Sequence, residues 1–165
     1  MPHFSRTHPA PPQKGGYRTY REYVRSDFLR QCAYCLMTEL LAGGAENYEL
    51  DHFRPKSKFP HLSNDFYNIY YSCHPCNHTK LDKWPAAELQ ERGYRFVDFC
   101  TEDFDRHFEE LPNGQWRGKT DAGRYTIDAL RLNRQHLVDV RALLIRAGFP
   151  PHQRKLGERL RGFLD

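Results

Sequence analysis

The sequence has no apolar run near the ~18 residues that a helical membrane span needs, and nothing in it reads as a secretory segment. Apolar material is sparse throughout: 39% of residues are hydrophobic and the mean hydropathy is −0.84. A membrane-spanning helix is therefore excluded. The expectation is a cytoplasmic chain whose thiols stay reduced and whose thin core needs support beyond hydrophobic burial. Cysteine is scarce too, with 5 in 165 residues, yet four of them form two Cys-x-x-Cys pairs, Cys32/Cys35 and Cys73/Cys76. Neither charge sign is in large excess. A net charge of +4 and a pI near 8.8 favour a polyanionic partner only mildly.

Two separated Cys-x-x-Cys pairs are the pattern of a tetrahedral zinc site, each pair a short knuckle reaching the ion at about 2.3 Å per Zn–S bond. Disulfides fit a reducing compartment badly, and a redox Cys-x-x-Cys needs only one pair. With Cys at all four positions the site is closed, so its role is structural. It would tie the segment before residue 48 to a helix starting near Cys73. Cys100 is left over and reads as a small buried hydrophobe.

Between the knuckles, residues 48–53 alternate apolar and polar side chains and read as a strand, which puts Asp51 and His52 on opposite faces. Residues 68–72, aromatic and β-branched, read as a second strand. Residues 73–83 read as a helix that tolerates Pro75 only in its first turn. The order is strand, strand, helix. The Asp51-His52 pair, Asn68 seventeen positions after the Asp, and the Cys73-x-x-Cys76-Asn77-x-x-Lys80 run resemble the HNH, or ββα-metal, nucleases over about Gln31 to Lys83.

The resemblance implies a division of roles. Asp51 matches the metal-binding acid, His52 the general base, Asn68 the residue that orients the base, and Asn77 the helix position that completes the metal site. Asn77 stands where many members carry His. A carboxylate and an amide oxygen are hard donors suited to Mg²⁺ or Mn²⁺, whereas a histidine-rich site favours softer ions. A neutral imidazole can take a proton from water, and the implied cleavage leaves 5′-phosphate and 3′-hydroxyl ends. Lys80, one helical turn beyond Asn77, is expected to contact the same phosphate. His74 and His78 fall off the Asn77 face. The competing readings are an RNA-directed nuclease on the same scaffold and an inactive zinc-knuckle module that binds nucleic acid.

The expected class is α+β, a ββα core with flanking helices. Residues 1–16, rich in proline, read as a flexible tail, residues 17–95 as the nuclease core with its zinc site, and residues 96–165 as a hairpin and helical extension packed on that core. Residues 18–30 carry a helical stripe. Pro112-Asn113-Gly114 marks a turn between strands at 107–111 and 115–118. Helices are expected over 121–132, from an Asn133 cap to Ala147, and over 155–164. Arg134 and Arg141, seven apart, should share a helical face, read either as a solvated face on packed helices, as a partner-protein surface or as a surface that contacts DNA. The Thr126–Arg141 run resembles the downstream part of short bacterial HNH proteins, some encoded beside ATPases in anti-phage operons. The nuclease resemblance implies double- or single-stranded DNA as substrate, and the operon association implies a partner protein such as an ATPase.

Overall fold

The structure, a computed structural model, describes residues 1–12 and 14–164. Gln13, in the expected tail, and Asp165, at the end of the expected extension, lie outside the described residues. The chain divides into two compact units, Phe4–Lys83 and Trp84–Asp165 with Met1–His3.

In the Phe4–Lys83 unit, a 3₁₀ turn at Tyr17–Tyr20 leads into helix α1, Arg21–Asp27. Strand β1, Tyr48–His52, pairs antiparallel with β2, Ile69–Cys73, in a register running from Tyr48↔Cys73 to His52↔Ile69. Every residue of β2 is buried, which explains its run of Ile and Tyr. Helix α2, His74–Lys80, follows directly, with Cys73 as N-cap and Pro75 in the first turn, where its missing N–H costs nothing. It stops at Leu81, whose φ of 47° cannot continue a helix. The expected ββα order is therefore present. Arg25 of α1 clamps both oxygens of buried Glu39 at 2.7 and 2.9 Å, and Glu39 also accepts from Tyr71. Within the stretch expected to be a tail, Phe4 is buried against Phe28. Arg6 there bonds Asp27 at 3.1 Å and the Phe66 carbonyl at 2.6 Å, and lies 4.6 Å over the Phe66 ring.

The second unit contains α3 (Ala87–Glu91), α4 (Phe104–His107), the hairpin β3–β4 (Phe108–Glu110 and Trp116–Gly118), α5 (Asp121–Leu130), α6 (Gln135–Arg146) and α7 (Leu156–Leu164). The hairpin sits where the Pro-Asn-Gly turn placed it. Thr120 caps α5 by accepting from Gly123 N–H, and Gly123 lies so close to β4 and α4 that a Cβ there would meet the His107 carbonyl at 2.2 Å. Two expectations need correction. Asn133 does not cap α6, since Arg134 is the N-cap; the Asn133 amide brackets both backbone groups of Trp116 at 2.8 Å. Arg141 does not share a DNA-facing surface with Arg134, because it is fully buried, 3.8 Å over the Trp116 ring and bonded to the Leu132 carbonyl at 2.7 Å. A planar guanidinium can stack and donate in the plane at once, so burial suits it where sequence spacing alone read it as surface. Among the described residues, no helix is long and apolar enough to cross a membrane.

Candidate active site

The four paired cysteines converge. Their sulfurs lie within 4.8 Å of one another and all four are buried and free of disulfides. Cys35 Sγ and Cys73 Sγ are 3.8 Å apart. Tetrahedral coordination with Zn–S bonds of about 2.3 Å requires sulfur separations of about 3.8 Å, so the cage has the right size for one zinc ion. Burial works against ionisation here. Hydrogen bonds from Cys35, Cys73 and Cys76 nonetheless hold Cys32 well below the ordinary thiol value, while Cys32 pushes Cys73 and Cys76 up. Ionising all four in one dry cage would require a cation among them. The first knuckle also ties itself to strand β2, with Ala33 N–H donating to the Tyr71 carbonyl at 2.7 Å.

Helix α2 lies along β1, and the two elements meet in matched pairs. Glu49 and Asp51 share a strand face because they are two apart; Asn77 and Lys80 are neighbours on the helix because they are three apart. Asn77 Nδ2 donates to Glu49 Oε2, and Lys80 Nζ sits 3.0 Å from Asp51 Oδ2. Tyr34, from the first cysteine knuckle, donates its hydroxyl to the same Asp51 oxygen. Lys80 also donates to the His52 carbonyl at 2.7 Å. The Lys80–Asp51 end of the seam is dry: Lys80 is fully buried and Asp51 nearly so. Burial pushes the Asp51 carboxyl up, against the pull of Lys80 and Tyr34, and pushes the Lys80 ammonium down, against the pull of Asp51. The Lys80 ammonium, expected at a phosphate, is placed inside the unit on Asp51.

His52 projects from the other face of the strand. Its Nε2 lies 2.9 Å from the Ser63 carbonyl, and the edge of its ring system meets Tyr17 with centroids 4.7 Å apart. A carbonyl can only accept, so Nε2 carries the hydrogen, and in the neutral ring Nδ1 is left with the lone pair. Asn68 does not bond the imidazole. Its amide brackets Arg54, accepting from the backbone N–H at 2.8 Å and donating to the carbonyl at 3.0 Å, and it donates to the Leu62 carbonyl at 3.3 Å. It thus holds the turn that presents Ser63 to His52.

A cleft of about 480 Å³ opens beside the seam, lined by Tyr17, Arg18, Arg21, Glu49, Leu50 and Asn77. Arg21 donates there to the carbonyls of Ala45 and Tyr48 at 2.9 and 3.0 Å, while Arg18 lies 5.5 Å from the Tyr17 ring. The structure therefore gathers Asp51, Asn77 and Lys80 on one seam, with His52 and Asn68 at the strand's end. Sequence reasoning missed Glu49, Tyr17 and Tyr34. The two-residue spacing from Asp51 was the signal for Glu49; for the two tyrosines, distant in sequence, there was none.

Residues 32–83, which hold the two cysteine knuckles, the strand pair and α2, match the family model described as HNH endonuclease. The chain is also similar to the Septu protein PtuA of Bacillus mycoides (strain KBAB4), with 26% identity over 142 residues, covering 73% of this chain and 20% of that protein. It spans about a fifth of that relative's length.

Proposed function

We propose that this chain is a metal-dependent endonuclease that hydrolyses DNA phosphodiesters, with zinc as a structural ion on Cys32, Cys35, Cys73 and Cys76. The observation that carries the reading is the fixed tautomer of His52. The Ser63 carbonyl takes the Nε2 hydrogen, leaving Nδ1 as a base at the end of the strand that also carries Asp51. The donor set fits a hard cation. Both bonds to Asp51 fall on Oδ2, and Glu49 engages the Asn77 Nδ2, so Asp51 Oδ1 and Asn77 Oδ1 are the oxygens that would hold Mg²⁺ or Mn²⁺. When bound, such an ion supplies positive charge to the scissile phosphate and to the departing oxygen.

The rest of the mechanism belongs to the chain. His52 Nδ1 takes a proton from water as the water oxygen bonds to phosphorus. The P–O3′ bond breaks, its electron pair leaves on the 3′ oxygen, and solvent water protonates that oxygen to give 3′-hydroxyl and 5′-phosphate ends, while His52 returns its proton to solvent. Asn68 acts on the ring through the Leu62–Ser63 turn. Lys80 serves as the counter-ion that holds Asp51 in place, and Arg18 and Arg21 offer positive charge to flanking phosphates across the cleft. The similarity to Septu protein PtuA, with the Thr126–Arg141 resemblance, supports a role in anti-phage defence beside a partner protein such as an ATPase.

The test is cleavage of plasmid, single-stranded DNA and RNA with Mg²⁺ or Mn²⁺ by the parent and by His52→Ala. DNA is cut by the parent, and His52→Ala loses about 10²–10⁴-fold in rate with zinc content unchanged. Cleavage by His52→Ala at the parent rate refutes the role of the base, and cleavage of RNA alone reassigns the substrate.

A further inference from the structure

Asn77 carries an amide whose two ends are nearly the same in shape and opposite in chemistry. Only the oxygen can ligate a hard cation, and only the NH₂ can donate a hydrogen bond. An amide on a helix surface rotates freely between the two orientations, so something must choose one. In this structure the choice is made by Glu49. Its carboxylate is acceptor-only, and Oε2 takes the Asn77 Nδ2 hydrogen. The other oxygen, Oε1, is held at 2.9 Å by His74 Nδ1, one helical turn before Asn77. Glu49 is thus gripped from two positions on α2, and its strand position, two before Asp51, keeps it on the face that meets the helix. It also lines the cleft with Asn77.

We propose that Glu49 is a positioning residue for the catalytic cation: it fixes the Asn77 side chain with its NH₂ turned away and its oxygen presented to the ion. The inference deepens the nuclease reading and rests on Asn77 being a ligand. Glu49 acts from the second layer around the metal, the layer whose loss typically weakens binding about 10–100-fold although no ligand is removed. It is distinct from a role as a ligand itself, and the two make different demands. A positioning acceptor needs an oxygen facing Asn77, which glutamine supplies; a ligand needs the carboxylate.

The experiment measures Mn²⁺ affinity of zinc-loaded, nucleic-acid-free protein by electron paramagnetic resonance. The parent is compared with Glu49→Ala, Glu49→Gln and Asn77→Ala, with zinc content and circular dichroism recorded for each. Glu49→Ala is expected to weaken Mn²⁺ binding about 10–100-fold, in line with loss of an orienting partner. Glu49→Gln keeps the acceptor and loses only one nearby charge, so its affinity stays within about fivefold of the parent. Parent-like affinity in Glu49→Ala overturns the proposal. Equal losses in Glu49→Ala and Glu49→Gln also overturn it, by making Glu49 a ligand. Unchanged affinity in Asn77→Ala instead places the ion elsewhere, and the active-site reading falls together with this one.

Discussion

Replacing Lys80 with methionine keeps the stem of the side chain and deletes its charge. The ammonium is fully buried and 3.0 Å from Asp51 Oδ2, whose side chain is 7% exposed. At that separation and an effective dielectric of ~20, the gross attraction is about 5 kcal/mol. Much of it offsets the cost of drying both charges, so the pair as a whole adds little to stability. Removing one partner is a different matter. Among the described residues Asp51 then keeps the Tyr34 hydroxyl as its side-chain partner, and a stranded buried carboxylate costs about 3–5 kcal/mol. With a urea slope of about 1 kcal/mol/M for a unit this small, the unfolding midpoint falls by roughly 3 M or more. The assay is release of zinc to a chromophoric chelator along a urea series at fixed total zinc. Tryptophan fluorescence would not serve, since Trp84 and Trp116 both lie outside the Phe4–Lys83 unit. Adding Asp51→Asn to Lys80→Met should recover part of the loss. The same variant separates a counter-ion from a phosphate contact. Under excess zinc its DNA binding keeps the parent's salt dependence, whereas losing a phosphate contact reduces the log–log slope by about 0.9. A parent-like urea midpoint combined with a reduced slope would refute the reasoning and return Lys80 to the phosphate.

Cys73→Ser or Cys35→Ser is expected to abolish zinc retention and unfold the unit that holds the cage, because metal binding there is folding free energy; elemental analysis with circular dichroism checks it, and a folded, zinc-free variant would contradict it. In the second unit, burial would raise the Glu102 carboxyl, but Arg95, bonded to both its oxygens at 2.6 Å, brings it down to about 2. Its contribution, about 1–2 kcal/mol once solvent screening of the partly exposed pair is allowed for, is therefore fully present above about pH 4.5 and is lost as the pH falls through about 2. Tryptophan-monitored urea unfolding at several pH values should show that decline for the parent and a flatter curve for Glu102→Gln.

The strand pair and helix of the site were legible because their signals are local. Alternation over residues 48–53, the β-branched and aromatic run before Cys73, and a proline tolerated only in a first turn each specify an element without reference to distant residues. The cysteine cage was legible for a similar reason, since zinc chemistry fixes the spacing within each knuckle. The fate of long basic side chains was not. In sequence Lys80 reads as a phosphate contact, Arg141 as surface charge and Arg6 as part of a flexible tail, yet each is drawn into a site made by residues far away in sequence: Asp51, Trp116 and Asp27 with Phe66. Helical spacing tells which residues share a face and is silent on what covers it. Asn133 shows the same limit, because a capping residue type sits one position before the helix cap and serves a strand instead.

The β1–β2 ladder has five residue pairs, and a two-stranded ribbon of that length is marginal in water. Such ribbons open from their ends. Here one end terminates at Cys73, a member of the sulfur cage, and the other continues into the Phe53–Asn68 backbone bond at 2.9 Å and the amide bracket on Arg54. With both ends tied, the ribbon has no loose tip from which to fray. Its amide protons should exchange with solvent as one block, at a rate set by opening of the sulfur cage, and not in a gradient from tip to centre. Motion at Asp51 and His52 is then governed by an event some distance from either residue.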